Sequence, residues 1–280
     1  MTQRTVAGNL DGPGFVWLAV EAPSPEEIAD VRERYGIAGD VLPEPGRTPR
    51  PSLFEESSYS VVTLAGAAAA GADLAEVRCF VSRDWMITVH DDVCPPVSSV
   101  SAESADAAAA LEALASALVT GLIGVVRDLE TAVETIEDGS GGDPGPIRRR
   151  LVALRSVVLS QRDVLARLGR GEGLPAPAHP RTRGLRNSAE RMGEIGSEIE
   201  TLREALHDAA TDRQNDVVRR LTALAAIFLP LTFITGFFGQ NFGWMVDHVG
   251  GAGSFLVLGL VLPVVTVAAL LLFFRGRGWL

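Results

Sequence analysis

The chain has 280 residues, 47% of them hydrophobic, a formal net charge of −10 and a mean hydropathy of +0.21. That apolar content excludes intrinsic disorder, and the acidic balance disfavours a nucleic-acid binder, whose phosphates it would repel. The two properties separate along the chain: residues 217–280 carry four arginines against Asp247, a net of +3, whereas residues 1–216 carry 21 arginines against 34 acids, a net of −13.

Residues 1–100 alternate short apolar runs with turn signals. Phe15–Val20, Ser60–Leu64, Val77–Val81 and Trp85–Val89 are rich in Val, Ile and aromatics and read as strands. Ser24-Pro-Glu-Glu opens a helix, with Ser24 as N-cap, Pro25 in the first position and acids in the first turn. The run Phe15–Val20 is too short, and lacks the basic leader, for a signal peptide. Cys79 and Cys94 are too few for a metal cluster or a disulfide framework and read as buried or half-buried thiols in a reducing compartment. His90-Asp91-Asp92 superficially offers a metal or acid–base set. No further ligand stands at useful spacing, so it reads as a surface turn at a strand end, and an enzyme is not expected. Gly8–Gly14 lacks the lysine and the strand-to-helix turn of a phosphate loop.

From Ser101 the pattern is helical. An Ala-rich helix over 104–138 ends at the Gly/Pro loop 139–146, a second helix covers about 147–169, and Gly169–Gly184 is a linker. A third helix starts near Leu185. Its apolar positions Ile195, Ile199, Leu202, Leu206 and Ala209 step by 4, 3, 4 and 3, as in a coiled-coil seam. Carried through to residue 238 it would be about 80 Å long, a single rod able to pass on a tilt or a shift.

Two charge-free runs of 26 residues, Leu221–Val246 and Val249–Phe274, flank Asp247-His248. Each is long enough to cross a hydrocarbon core of about 30 Å. Arg219 and Arg220 precede the first span, and Arg275 and Arg277 follow the second; the connection between the spans has no basic residue. The positive-inside rule therefore places both chain ends in the cytoplasm and the connection outside. Trp244 and Trp279 suit the two interfaces. The expected organisation is a cytosolic α/β part at 1–100, a cytosolic helical part at 101–216 with its stalk helix from about 186, and a membrane part at 217–280. Within the last, the first span covers about 219–238, the outer loop about 239–252 and the second span about 253–274.

The first span is the more polar, with Thr222, Pro230, Thr232, Thr235, Gly236, Gly239, Gln240 and Asn241. Asn215, Val218, Leu221, Ala225, Leu229, Thr232, Gly236 and Gly239 step by 3 and 4 and share one helical stripe, with Asn241 just beyond. Small, apolar and carboxamide residues on a stripe suit either a narrow pore or close helix packing. Two spans cannot enclose a channel, so a pore requires a ring of identical subunits.

Leu229-Pro-Leu-Thr-Phe-Ile-Thr-Gly236 with Gly239-Gln-Asn241 resembles the signature of the CorA family of divalent-cation transporters, in which Gly-Met-Asn ends the first of two C-terminal spans. Asn215-Asp-Val-Val-Arg-Arg-Leu-Thr222, Trp85-Met-Ile-Thr-Val-His90, Arg50-Pro-Ser-Leu-Phe-Glu55 and Arg275-Gly-Arg-Gly-Trp-Leu280 are similar to further family segments, so the likeness covers nearly the whole chain. The resemblance implies an α+β cytosolic domain with a long stalk helix followed by two transmembrane helices, assembled as a CorA-like homopentameric funnel in the plasma membrane. It implies a selectivity filter at Gly239, Gln240 and Asn241, with Asn241 holding the hydrated ion through its waters. It implies a pore face and gate of Asn215, Val218, Leu221, Leu229, Thr232 and Gly236, and a cation-concentrating acid at Asp247. Gln240 departs from the family's Met.

The expected function is a divalent-cation channel or transporter, for Mg2+ with Co2+ or Ni2+ as further passengers. Beside it stand a ZntB-like Zn2+ transporter, motivated by His248 and the altered filter, and a non-transporting membrane sensor or scaffold. No cofactor is expected; Mg2+ or another divalent cation is the transported ion and a regulatory one. The partners are the lipid bilayer, those cations and further copies of the chain.

Overall fold

The computed structural model describes residues 3–7, 14–38, 48–69, 74–90, 94, 96–97, 100, 106–174, 182–240 and 243–277. By internal contact the chain falls into two units, Met1–Leu206 and His207–Leu280.

The first unit is built on a six-stranded sheet in the order β1-β2-β6-β5-β4-β3: β1 Gln3–Ala7, β2 Val16–Glu21, β3 Ser52–Glu55, β4 Ser60–Ala67, β5 Leu74–Val81 and β6 Trp85–His90. Among the described residues β2 and β6 pair in parallel, Val16 opposite Trp85 through Glu21 opposite His90, and the other strand pairs are antiparallel. The four expected strands form the middle of the sheet. The edges β1 and β3 were not expected, and each is short, as sheet edges commonly are.

Strand alternation sends side chains to two covered faces. On one, Leu18, Val20, Phe80, Ile87 and Val89 pack with Val31, Ile37 and Tyr59 beneath helix α1, Pro25–Tyr35. This helix begins as its sequence predicts: Ser24 Oγ accepts from Glu27 N at 3.2 Å, and Glu27 Oε2 accepts from Ser24 N at 2.9 Å, a reciprocal capping box. On the other face lie α2, Ala107–Glu137, and α3, Gly145–Gly169. Asp106 caps α2 by accepting from Ala109 N at 2.9 Å. The apolar stripe of α2, from Leu111 through Leu114, Leu118, Leu122 and Leu129 to Ile136, is buried, so this helix is long and apolar enough to cross a membrane yet serves as core. It comes close to β4 at Gly66, where a methyl would sit 2.5 Å from Leu118 Cδ2 and 2.8 Å from Cys94 Sγ.

Helix α4 is a single element, Arg183–Phe238. Its first part belongs to this unit and buries the expected seam residues Ile195, Ile199, Leu202 and Leu206. Glu200 pairs with Arg155 of α3 and, at 2.8 Å, with Arg203.

His90 does not stand in a surface turn. It is the last residue of β6, 1% exposed, on the same face as Met86 and Thr88, where α2 and α3 cover the sheet. Strand alternation rather than chain position decides its burial, because the strand runs one residue past the expected end at Val89. Asp91 and Asp92 lie outside the described residues. Cys79 and Cys94 are both buried, and burial pushes both thiols up, Cys94 to about 11.

Candidate functional site

The second unit holds α4 from His207 to Phe238, helix α5 at Gly243–Val249 and helix α6 at Ala252–Gly276. Helix α6 begins with one α-helical turn, Ala252–Ser254, passes through a π-helical stretch, Phe255–Val261, and continues α-helically over Leu262–Gly276. The latter parts of α4 and α6 are both long and apolar enough to span a bilayer, and only 6% of each apolar window is buried, against half of that in α2.

Exposure is uneven around α4. Ala223 is fully buried, and Ile227, Pro230, Ile234 and Phe238, spaced by 4, 3, 4 and 4, are half-covered. The opposite side carries Asn215, Val218, Leu221, Ala225, Leu229, Thr232 and Gly236, all exposed, with Leu229 at 75%. At about 100° per residue the two lines lie on nearly opposite sides of the helix. A matching covered line on α6 is made by Pro263, Thr266, Val267, Leu270 and Phe274. Each span thus has one covered line, and the polar stripe of α4 lies on the side of the helix away from its own.

The stripe is chemically quiet. Thr232 Oγ1 donates to Phe228 O at 2.8 Å and Thr222 Oγ1 to Val218 O at 2.8 Å, so each hydroxyl proton is used within its own helix. What Thr232 offers outward is therefore a methyl and oxygen lone pairs. Pro230, inside the helix on the half-covered line, has no N–H to give Ala226 O, and the helix continues through it without a break. Asp216 and Arg219 pair at 3.8 Å just before the apolar part, both exposed.

The helix closes at Gly239 and Gln240. Gly239 N donates to Thr235 O at 2.9 Å and Gln240 N to Phe237 O at 3.3 Å, a tightened last turn. A side chain at Gly239 would bring its Cβ within 2.9 Å of Thr235 O, which explains glycine there. Gln240 is exposed; Asn241 lies outside the described residues. The expected outer loop contains α5, which the sequence did not announce because seven residues give no readable periodicity. Asp247 and His248 stand on α5, both exposed. The His248 ring stacks on Trp244 one turn earlier, with centroids 4.7 Å apart and planes 16° apart, and His248 Nδ1 lies 2.9 Å from Trp244 O. Among the described residues no three His, Cys, Asp or Glu side chains converge as a metal site.

The sequence model of a family described as CorA-like Mg2+ transporter protein matches residues 12–276. A zinc transport protein ZntB of Pectobacterium atrosepticum is 25% identical over 81% of this chain and 77% of its own, and that of Yersinia pseudotuberculosis is 24% identical over 90% and 81%. Among solved structures, the complete CorA magnesium transporter of Methanocaldococcus jannaschii superposes with a TM-score of 0.65 at 19% identity, over 95% of this chain and 92% of that one. The cytoplasmic domain of ZntB from Vibrio parahaemolyticus superposes with a TM-score of 0.62 at 14% identity, over 75% and 89%. At these identities the structural likenesses establish the fold.

Proposed function

The chain belongs to the CorA-like Mg2+ transporter protein family, and we propose from that membership that it conducts divalent cations across the plasma membrane as a homopentamer. Each subunit gives the bare stripe of α4 to a central pore. The observation that carries this reading is the opposition of two lines on one helix: a half-covered one through Ala223 and Ile234, and an exposed one through Leu229 and Gly236. A helix packed only for stability inside a monomer would bury its small and polar residues. Here Thr232 and Gly236 are turned out.

In the ring, Val218, Leu221 and Leu229 form an apolar gate that admits water only when widened, with Asn215 at its inner end and Thr232 and Gly236 toward the outer end. Asn241, with Gly239 and Gln240, forms the filter. A neutral carboxamide oxygen holds a hydrated ion through its waters without the tight grip of a carboxylate ring, which suits Mg2+, an ion that sheds water reluctantly. Asp247, once per subunit, raises the cation concentration at the mouth. Both termini are cytoplasmic, and the net −13 of residues 1–216 gives entering cations a surface on which to act as regulators. The reading is of a transporter rather than an enzyme.

A second reading, transport of Zn2+, is favoured by the ZntB relatives. Cation entry into proteoliposomes decides both questions. Asn241→Ala should abolish entry of Mg2+; entry at the wild-type rate would overturn the filter assignment. Zn2+ entry that Mg2+ does not compete with, and that depends on a proton gradient, would replace the first reading by the second. Absence of flux for any divalent ion, with cation-dependent assembly kept, would leave a membrane sensor or scaffold.

A further inference from the structure

We propose that His248 is a docking ligand for nitrogen-preferring transition-metal cations on the segment between the two spans. The argument begins with a tautomer. Trp244 O is a carbonyl and can only accept, so the 2.9 Å contact requires the proton of the neutral ring to sit on Nδ1, leaving the lone pair on Nε2. Donation of one ring N–H to a backbone carbonyl is also the arrangement that orients histidines bound to metals, because it fixes both tautomer and ring plane. Here the ring plane is fixed a second time, by the indole of Trp244 lying 4.7 Å away at 16°. These two restraints, both supplied by Trp244, remove much of the rotational freedom that a solvated histidine keeps, and neither uses Nε2.

The neighbouring carboxylate does not complete a chelate. Asp247 is adjacent in sequence, and successive residues on a helix do not face each other. Each copy thus supplies a single nitrogen, with water filling the remaining positions, and an assembly supplies one such nitrogen per subunit. Imidazole nitrogen suits Zn2+, Ni2+ and Cu2+, whereas Mg2+ takes oxygen ligands. His248 therefore enriches the first group at the connection and is indifferent to Mg2+. This rests on the transport reading only for its consequence; the binding itself does not.

Trp244 makes the test direct, because a paramagnetic ion held on His248 quenches the indole stacked against it. The full-length protein in detergent is titrated with Ni2+, and the Trp244 share of the emission is isolated by subtracting Trp244→Phe. That share is expected to be quenched by Ni2+ and not by the same concentration of Mg2+, and His248→Ala should remove the quench while Asp247→Asn retains it. In proteoliposomes, His248→Ala should lower Zn2+ entry at low concentration on the order of tenfold and leave Mg2+ entry unchanged. Quenching that survives His248→Ala, or no Ni2+ quenching in the wild type, would overturn the assignment. Loss of all divalent flux with the His248-dependent quench intact would instead overturn the transport reading alone.

Discussion

Gln161 offers the sharpest test of how the helix layer is attached to the sheet. Its side chain is fully buried on α3, and its carboxamide grips both polar groups of one residue on β4. Oε1 accepts from Ala65 N at 2.6 Å, and Nε2 donates to Ala65 O at 3.2 Å. The need arises from strand length. β3 pairs with β4 from Ser60 to Thr63, so at Ala65, two residues further on, no strand among the described residues satisfies the backbone on that side. Gln161 stands in for the missing strand. In Gln161→Leu the size is nearly kept and both hydrogen bonds go, leaving a buried N–H and a buried C=O at a cost of about 1–3 kcal/mol each. Burial of the leucine, about 1.5–3 kcal/mol, offsets part of that, for a net loss of about 1–3 kcal/mol. Thermal unfolding of the detergent-solubilised protein should report the loss, and hydrogen exchange should locate it: the Ala65 amide should exchange roughly 10–100 times faster, while the amides of β2 change little. Arg162→Ala, one residue along and exposed, is the control. Unchanged melting together with unchanged protection at Ala65 would refute the clamp.

Gly66→Val should destabilise the first unit by about 1–3 kcal/mol, since its added carbons force the buried Leu118 and Cys94 side chains to shift, and near-UV circular dichroism should show the disturbed packing. Cys94 supplies a pH dependence. Its folded thiol is raised from 9.0 to about 11, so below pH 9 both folded and unfolded states hold the proton and the contribution to stability is constant. Between about pH 9 and 11 the unfolded chain releases its proton first, so stability falls as pH rises. Cys94→Ala should make that limb of a melting profile shallower, the slope from the likewise raised Cys79 remaining, and neither buried thiol of the wild type should react with iodoacetamide at pH 7.5. Gly239→Ala should unseat the end of α4, because the methyl falls against Thr235 O; cation entry should drop at least severalfold while thermal unfolding of the first unit stays within about 0.5 kcal/mol of the wild type.

The middle of the sheet, the N-cap of α1 and the course of α2, α3 and α4 are legible because each rests on a local signal: alternation, a cap or a 3–4 repeat. The edges β1 and β3 are not, for Gln3–Ala7 and Ser52–Glu55 carry only two apolar residues apiece and are specified by the strand beside them. His90 is misread for a related reason: its neighbours in sequence are acids, whereas its neighbours in space are the helix layer. The stripe on α4 can be drawn from residue spacing, but which side of the helix is covered cannot, because burial is decided by packing that spacing does not encode. The stack of His248 on Trp244 leaves a trace in the sequence only as an i, i+4 pair, readable once α5 is known to be helical.

The pairing of β2 with β6 also sets an order of assembly. β2 ends at residue 21, yet its inner neighbour in the sheet ends at residue 90, and the helix layer over the sheet ends only at residue 169. Such distant pairing closes slowly, and its partners leave the ribosome long before either span does. The sheet and its helix layer, complete by residue 169, are thus available to fold before the second span is made. The insertion machinery then meets a nascent chain whose sheet and helix layer have had time to set. A lesion that slows closure of the sheet, such as Gly66→Val, should then appear in cells as failed insertion, with degradation of an otherwise intact pair of spans.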